Sequence, residues 1–223
     1  MYLKQPKALP QTFFNRPAPL VARELLGKFL VRRYGKRTEA FMITETEAYE
    51  GFRDKASHAH RGQTKRNAPM FGDAGYWYVY FTYGMHWLLN IVTRERGYPS
   101  AVLIRAASPV RNSPRKNRLE AHSAGEISNG ITGPAPLETG CRWQPPRQRR
   151  GSLTGPARLT KALAIGKAQN ARLADRNTGL WIEDRGVSVR AQNIKTGARV
   201  GVAYAGAYWR NRKWRFRLDQ KDP

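Results

Sequence analysis

The chain has few acidic residues and almost no cysteine. Only 16 of its 223 residues are Asp or Glu, against 40 Lys and Arg, so the net charge is +24. The single cysteine, Cys141, excludes a disulfide framework within the chain and a thiolate metal cluster. Such cysteine usage fits a reducing compartment, and we therefore expect an intracellular protein.

Long apolar runs are also missing. No segment has the length and apolar character of a membrane span, and no basic amphipathic helix is present. Residues 1–14 lack the continuous apolar segment and small-residue cleavage site of a secretory signal. We expect no membrane association and a location in the cytoplasm or nucleoid of a bacterium, with a nucleus left open.

The positive charge favours a nucleic acid as partner. Lysine and arginine in this excess attract phosphate backbones, although a merely soluble basic surface is the alternative. The length is enough for one substantial core, and we predict a single domain over residues 1–223. Residues 111–152, rich in Pro, Arg, Ser and Gly, are predicted to be a flexible basic insertion within it.

Residue patterning predicts an α+β fold with a single mixed, mostly antiparallel, curved β-sheet and flanking helices. Residues 21–33 have helical spacing followed by a β-like run, and residues 154–167 begin with Thr-Gly-Pro, as a helix would. Residues 50–74 are loop-like. Further strands are predicted at residues 100–107, in a pair over residues 75–92 that breaks at Tyr83-Gly84, and from Trp181 and Arg199.

A strand is also predicted from Phe41 to Tyr49. Strict alternation would place Phe41, Ile43, Glu45, Glu47 and Tyr49 on one face of it, and Met42, Thr44, Thr46 and Ala48 on the other. Both glutamates would therefore lie on the same side. Carboxylates among so many cations oppose binding to nucleic acid, which suggests that they take part in chemistry.

Aromatic residues and a glutamate together suit an enzyme that acts on a base rotated out of a duplex. Tyr83, at a strand turn, could fill the space that the base leaves, and Tyr49 and Tyr80 could stack on the base. Glu47 or Glu45 could activate water for cleavage of the N-glycosidic bond. The alternative is ordinary: strand aromatics commonly pack in a core, and strand glutamates commonly pair with arginine.

Ordered motifs carry a resemblance to a known family. They are VARELLGKFL, ETEAY (residues 45–49), His58, RNAPMF (66–71), YVYFTYGM (78–85), Asn90 and LIRA (103–106), followed by GPARLTKALAI and RVGVAYAG. In this order they resemble the alkyladenine (3-methyladenine, methylpurine) DNA glycosylases, over about 170 residues of the chain. Residues 111–152 have no counterpart in that pattern, and the ending WRFRLDQKDP departs from it.

The resemblance implies a role for each matching residue. Glu47 matches the general base that activates water, and Arg105 matches an arginine that helps to hold this water. Glu45 is then expected to have a structural role. The residues that match the enclosure of the extruded base are Tyr49, His58, Tyr80 and Asn90. Asn90 would crowd the exocyclic amino group of normal guanine. Tyr83 matches the residue inserted into DNA. Met70 and Met85, which we group with it as intercalating residues, match positions near that residue and the pocket wall, where they would shape the DNA contact.

The function so implied is base-excision repair. A monomer would flip alkylated purines such as 3-methyladenine, and also hypoxanthine or ethenoadenine, out of double-stranded DNA and hydrolyse the N-glycosidic bond. No cofactor and no metal are expected. No lysine stands in a motif position for a Schiff base, so the enzyme should be monofunctional and leave an intact abasic strand.

Two other classes of protein remain possible interpretations. The first is a non-catalytic basic nucleic-acid-binding protein, for which charge and exposed aromatics suffice. The second is a metal-dependent nuclease that uses Asp54, His58, His60 and a glutamate, because a His-x-His pair can chelate a divalent ion. Insensitivity to chelator and loss of activity in Glu47→Gln would argue against both.

Overall fold

The computed structural model describes residues 5–109 and 153–219. These residues belong to one compact unit. Cys141 and the predicted flexible insertion over residues 111–152 lie outside the described residues. The single domain over residues 1–223 therefore stays a prediction.

The described residues form one open antiparallel sheet of ten strands. In chain order the strands are β1 (Lys7–Ala8), β2 (Phe29–Tyr34), β3 (Arg37–Glu50), β4 (Trp77–Thr82), β5 (His86–Val92), β6 (Ser100–Pro109), β7 (Leu153–Thr154), β8 (Leu180–Asp184), β9 (Ile194–Gly197) and β10 (Arg215–Leu218). Across the sheet the order is β1-β8-β2-β3-β6-β5-β4, with β10 paired to β3 and β9, and β7 paired to β6. This confirms the predicted α+β fold and its antiparallel sheet.

Helices are short in the part of the chain that the structure describes. The α-helices are α1 (Gln11–Phe14), α2 (Ala18–Glu24), α3 (Pro156–Ala162) and α4 (Gly206–Arg210). Single turns of 3₁₀-helix span His58–Arg61, Ala68–Phe71, Lys167–Gln169, Ala191–Asn193 and Ala203–Ala205. Within residues 5–109 and 153–219, none of these helices has the length and apolar character needed to cross a membrane.

Helix α2 and strand β2 form the predicted helix-to-strand unit. Pro17 precedes the first turn of α2, where a missing N–H costs nothing, and the helix buries Val21 and Ala22 against the sheet. Gly27 then turns the chain towards β2 with φ +83°. A Cβ at Gly27 would lie 2.6 Å from Cγ2 of Val189, so both conformation and space require glycine.

Strand β3 is longer than predicted and contains a bulge that reverses its faces. Its register with β6 shifts on either side of Glu45, where Thr44 on β3 and Arg105 on β6 are the extra residues. Before the bulge Ile43 packs in the main core, whereas after it Ala48 does. The prediction that Phe41 and Ile43 share a face with Glu47 and Tyr49 is therefore wrong, because strict alternation fails at a bulge.

The strand predicted from Arg199 is also wrong. Residues 199–202 are irregular, and the 3₁₀-turn Ala203–Ala205 and helix α4 follow them. Gly201 and Gly206 adopt φ of +76° and +78°, which an extended strand does not allow. The backbone N–H of Val200 donates to the side chain of Glu47 instead of to a neighbouring strand.

The sheet separates the main core from a cavity on its opposite face. Side chains of α2 and α3 pack with Val102 and Ile104 of β6 in the main cluster. The neighbouring residues Ala101 and Leu103 instead line a cavity on the opposite face. Helices thus cover one face of β6, while its other face borders the cavity.

Candidate active site

A cavity of about 380 Å³ opens beside strands β3–β6. Most of the residues singled out from the sequence line it, although they come from separate segments of the chain. The predicted residues on its wall are Tyr49, His58, Met70, Tyr80, Tyr83, Asn90 and Arg105. Glu47 and Met85 do not line it.

Glu47 lies directly behind this wall and has no exposed surface. Its Oε2 accepts a hydrogen bond from the hydroxyl of Tyr49 (3.0 Å) and a longer one from Nη1 of Arg105 (3.3 Å). Its Oε1 accepts from the backbone N–H of Val200 (2.8 Å). A carboxylate has about four lone-pair positions, so one remains for a further donor such as water.

Burial raises the pKa of the Glu47 carboxyl above its ordinary value. The positive charge of Arg105 and the hydrogen bonds from Val200 and Tyr49 act in the opposite direction but do not cancel this effect. A raised pKa makes the carboxylate a stronger base, which suits proton abstraction from water near neutral pH.

Glu45 fixes the arginine that approaches Glu47. Its Oε1 accepts from Nε of Arg105 (2.8 Å) and from Nε of Arg215 (2.6 Å). Because Arg105 is the extra residue of the bulge on β6, its side chain reaches both glutamates. Glu45 is thereby engaged in ion pairs, which fits the structural role expected for it.

Aromatic rings from two segments form one end of the cavity. His58, on the 3₁₀-turn His58–Arg61, packs edge to face against Tyr80 of β4 with ring centroids 4.6 Å apart. Its Nδ1 lies 3.0 Å from the hydroxyl of Tyr78. Burial lowers the pKa of His58, and the positive charge of Arg66 lowers it further, so the imidazole is neutral at physiological pH.

Asn90 on β5 is held rigidly in the cavity wall. Its side chain is buried, and its Nδ2 donates to the carbonyl of Tyr78 (3.0 Å), the residue directly opposite on β4. A bound amide cannot rotate away from an incoming group without losing this hydrogen bond. Asn90 therefore limits the shape of a group that can enter the cavity.

The tip of the β4–β5 hairpin presents large apolar side chains to solvent. Tyr83 is 85% exposed and Met85 is 68% exposed. Tyr83 also has φ +51°, a conformation that costs a tyrosine free energy, and Gly84 follows with φ +66°. Exposed apolar groups on a strained turn beside a cavity mark a contact surface.

Met70 does not belong to this exposed tip. It is 2% exposed and packs with Ala59 and Tyr78 beneath the cavity, where its sulfur lies 3.8 Å from the hydroxyl of Ser57. A side chain buried in this way cannot reach between base pairs. The prediction that Met70 intercalates is corrected accordingly: it forms the cavity wall.

Comparison with known proteins identifies the family. Residues 12–222 match the family described as "Methylpurine-DNA glycosylase (MPG)". The chain belongs to the methylpurine-DNA glycosylase family. This confirms the family predicted from the sequence, and with it a DNA glycosylase of base-excision repair, a hydrolase whose substrate is DNA.

Relatives match this methylpurine-DNA glycosylase along most of its length. Three that carry the name 3-methyladenine DNA glycosylase as a provisional assignment come from Methanocella arvoryzae, Burkholderia cenocepacia and Desulfitobacterium hafniense. The first is 40% identical over 215 residues, which are 96% of this chain and 94% of the relative. The second is 41% identical (87% and 81% covered), and the third is 37% identical (96% of both).

Several residues of the candidate site were missed from the sequence. Tyr78 shares a strand face with Tyr80, and this alternation could have identified it. Arg66 lies 5.4 Å from the centre of the Tyr80 ring and donates to the carbonyl of Phe81. Val200 contributes only its backbone N–H to Glu47, so no side-chain pattern could have indicated it.

The alternative of a metal-dependent nuclease does not fit the positions of its proposed ligands. Both carboxylate oxygens of Asp54 accept hydrogen bonds from Arg199. Nδ1 of His60 lies 3.2 Å from the carbonyl of Phe52. In residues 5–109 and 153–219, no three His, Cys, Asp or Glu side chains lie together as a metal site requires.

Proposed function

We propose that this family member flips alkylated purines out of double-stranded DNA and hydrolyses the N-glycosidic bond with water activated by Glu47. The observation that carries the proposal is the position of this carboxylate. It is fully buried, has a raised pKa, and is held by Tyr49, Arg105 and Val200 directly behind a cavity with aromatic walls. A carboxylate buried at such cost to stability is typical of a catalytic base.

The proposed reaction begins with extrusion of the damaged nucleotide. Tyr83, with Met85 beside it, enters the duplex and occupies the space that the base leaves. The base then lies against Tyr49, His58 and Tyr80, where stacking contributes about 1–3 kcal/mol. The positive charge of the chain attracts the phosphate backbone and holds the enzyme on the duplex as a monomer.

Cationic and neutral bases make different demands on the site. A purine such as 3-methyladenine is already positively charged and leaves without an acid, so Glu47 need only deprotonate water. Hypoxanthine and ethenoadenine need a proton on the ring as they leave. The guanidinium carbon of Arg66 lies 5.4 Å from the centre of the Tyr80 ring, and that of Arg199 lies 4.8 Å from the centre of the Tyr49 ring. These positive charges reduce the cation-π preference of the rings for a charged base. The cavity should therefore accept cationic and neutral bases.

Water sits between Glu47 and Arg105 in the proposed reaction. The 3.3 Å contact between these two side chains is the longest that Glu47 makes, so it opens most readily to admit a water molecule. Glu47 removes a proton from the water as the sugar carbon develops positive charge, which the carboxylate also stabilises. No covalent intermediate with the protein is needed, and the DNA strand stays intact.

Analysis of both products tests this proposal. Duplexes with one 3-methyladenine or hypoxanthine should release the free base and leave an abasic strand that breaks only after treatment with alkali or heat. Undamaged duplex of the same sequence is the control. In Asn90→Ser, release of guanine from this undamaged duplex should increase, because the Asn90 amide no longer restricts which base can enter the cavity. Strand scission without such treatment would contradict a monofunctional mechanism, and failure to release either base would contradict the proposed function.

A further inference from the structure

A fully buried ion pair lies next to the site, and the hydrolysis step proposed above does not use it. Arg199 and Asp54 have no exposed side-chain surface, and two parallel hydrogen bonds of 2.5 Å and 2.8 Å join them. A bidentate geometry of this kind fixes the guanidinium in position and in orientation. A buried pair is nevertheless weak evidence for stability, since desolvation of both charges offsets the attraction.

The remaining contacts of Arg199 join the segments that form the cavity. Its Nη1 also donates to the carbonyl of Ala48 on β3 (2.8 Å), and its Nη2 to the carbonyl of Trp209 on α4 (3.3 Å). Its guanidinium carbon lies 4.8 Å from the centre of the Tyr49 ring and 5.2 Å from that of Trp214. One side chain thus supports the backbone and the ring of the two residues that follow Glu47 in sequence.

Asp54 extends this connection towards His58. Its Oδ1 accepts from the backbone N–H of Ala56 (3.1 Å), and its Oδ2 from that of Glu50 (3.3 Å). The carbonyl of Ala56 in turn accepts from the hydroxyl of Tyr204 on the cavity rim (3.1 Å). The ion pair therefore also fixes the loop that leads from β3 to the aromatic end of the cavity.

The residue that follows Arg199 contacts the proposed base directly. The Val200 N–H donates to Oε1 of Glu47 (2.8 Å), and residues 199–202 have no regular secondary structure that would otherwise hold this N–H. Val200 follows Arg199 directly, so the amide that orients the carboxylate belongs to the peptide bond next to the anchored arginine. Movement of the Arg199 backbone would therefore displace the hydrogen bond to Glu47.

We propose that Arg199, anchored by Asp54, is a positioning residue for catalysis, which holds the Val200 amide on Glu47 and the ring of Tyr49 in the cavity wall. This inference rests on the proposed role of Glu47. Arg199 touches neither the base nor the water. It acts by keeping the carboxylate in one orientation and in its ionised form.

The expected effect on Glu47 has a definite sign. The charged and titratable groups that face this carboxylate are Arg105 of β6, Arg215 of β10, and the hydroxyls of Tyr49 and Tyr80. The Val200 N–H adds a hydrogen bond that lowers the pKa of Glu47 and partly offsets its burial. Loss of this hydrogen bond leaves the other groups in place, so the pKa of Glu47 must rise.

Arg199→Lys is the variant of choice for testing this inference. Lysine retains the positive charge beside Asp54 but cannot make the bidentate pair together with the bonds to Ala48 and Trp209. Asp54→Asn is a second variant, with nearly unchanged shape, in case Arg199→Lys does not fold. Arg185→Lys is the matched control, because Arg185 pairs with the buried carboxylate of Glu183 and stacks on Phe29 but does not line the cavity.

The first readout is the titration of Glu47 itself. Protein labelled with ¹³C at the glutamate carboxyl carbon is titrated by NMR, and the Glu47 signal is assigned by its absence in Glu47→Gln. We expect the titration midpoint of Glu47 to move to higher pH in Arg199→Lys, or in Asp54→Asn, and to stay unchanged in Arg185→Lys. An unchanged midpoint in the folded variant would overturn the inference, whether or not any excision is measured.

The second readout is single-turnover excision as a function of pH. We expect Arg199→Lys to lower the maximal rate by about 10- to 100-fold, as small misplacement of a catalytic group does, with duplex affinity within about twofold of the native value. Loss of rate on the acid side should begin at higher pH than in the native enzyme. A variant that lost only affinity, or that behaved like Arg185→Lys, would overturn the inference; absence of excision by the native protein would instead overturn the proposed function.

Discussion

Replacement of Tyr83 by glycine should make the protein more stable and at the same time a poorer enzyme. The side chain is 85% exposed, so its removal sacrifices little buried surface. Its φ of +51° costs a non-glycine residue about 1–2 kcal/mol, whereas the greater freedom of glycine in the unfolded chain costs about 0.5–1 kcal/mol. We expect Tyr83→Gly to raise the free energy of unfolding by about 0.5–1 kcal/mol, which is a rise in Tm of about 1–4 °C.

The effect on excision should have the opposite sign. If Tyr83 stacks in the space left by the flipped base, its loss removes about 1–3 kcal/mol from the flipped state, which corresponds to a rate about 5- to 150-fold lower. Single-turnover release of hypoxanthine from duplex DNA measures this rate. The same strand without its complement is the internal control, because an unpaired base leaves no gap in a duplex to be filled.

Two variants separate stacking from general disturbance. Tyr83→Phe keeps the ring and should retain most of the rate, and Tyr208→Ala removes another exposed tyrosine, 64% exposed, that does not line the cavity. The reasoning would be refuted if Tyr83→Gly excised from duplex at the native rate. It would equally be refuted if this variant slowed duplex and single-stranded substrates to the same extent.

Three further predictions concern charge. The net charge of +24 should make duplex binding weaker by about 10³–10⁵-fold between 50 and 200 mM salt in a titration of binding, and a shallow slope would mean that much of the charge faces away from DNA. Release of hypoxanthine should fall at high pH more than release of 3-methyladenine, because only the neutral base needs a proton; equal pH profiles would contradict this. Burial raises the pKa of Glu47, so its ionised form destabilises the folded state above that pKa and this cost disappears as the pH falls through it. Glu47→Gln should therefore unfold at the native Tm or above it at neutral pH, and a marked decrease in Tm would show that the carboxylate stabilises the fold.

The sequence predicted the elements whose pattern is local. The hairpin over residues 75–92, the strand over residues 100–107 and the helix that follows Gly155 all depend on alternation, on helical spacing or on glycine and proline at element ends. Each of these signals acts within a few residues of the element that it predicts. The structure confirms these elements, with α3 shorter than the predicted 154–167 because it ends at Ala162.

Two local predictions failed because distant contacts decide them. Alternation along β3 fails at Thr44, because the bulge depends on the register with β6, some sixty residues away, and that register is invisible in the pattern of β3 alone. The run from Arg199 has the apolar alternation of a strand. However, Arg199 forms a buried ion pair with Asp54, and the N–H of Val200 donates to Glu47. These two contacts prevent a regular strand.

The candidate site was predicted in part for the same reason. Resemblance to the family identified the residues whose side chains stand in motifs, among them Tyr80 and Asn90. It did not identify Tyr78, which contacts His58, or Val200, whose backbone N–H donates to Glu47. Met70 was placed by its motif near the DNA, whereas packing against Tyr78 buries it in the wall.

The central claim is that Glu47 activates the attacking water without a metal ion. Single-turnover release of hypoxanthine and of 3-methyladenine from duplex DNA, measured in EDTA for the native enzyme and for Glu47→Gln, tests it most directly. We expect release of both bases to persist in EDTA and to fall by about 10²–10⁴-fold in Glu47→Gln, while binding to the duplex is retained. Release that EDTA abolishes, or that Glu47→Gln leaves unchanged, would contradict the claim.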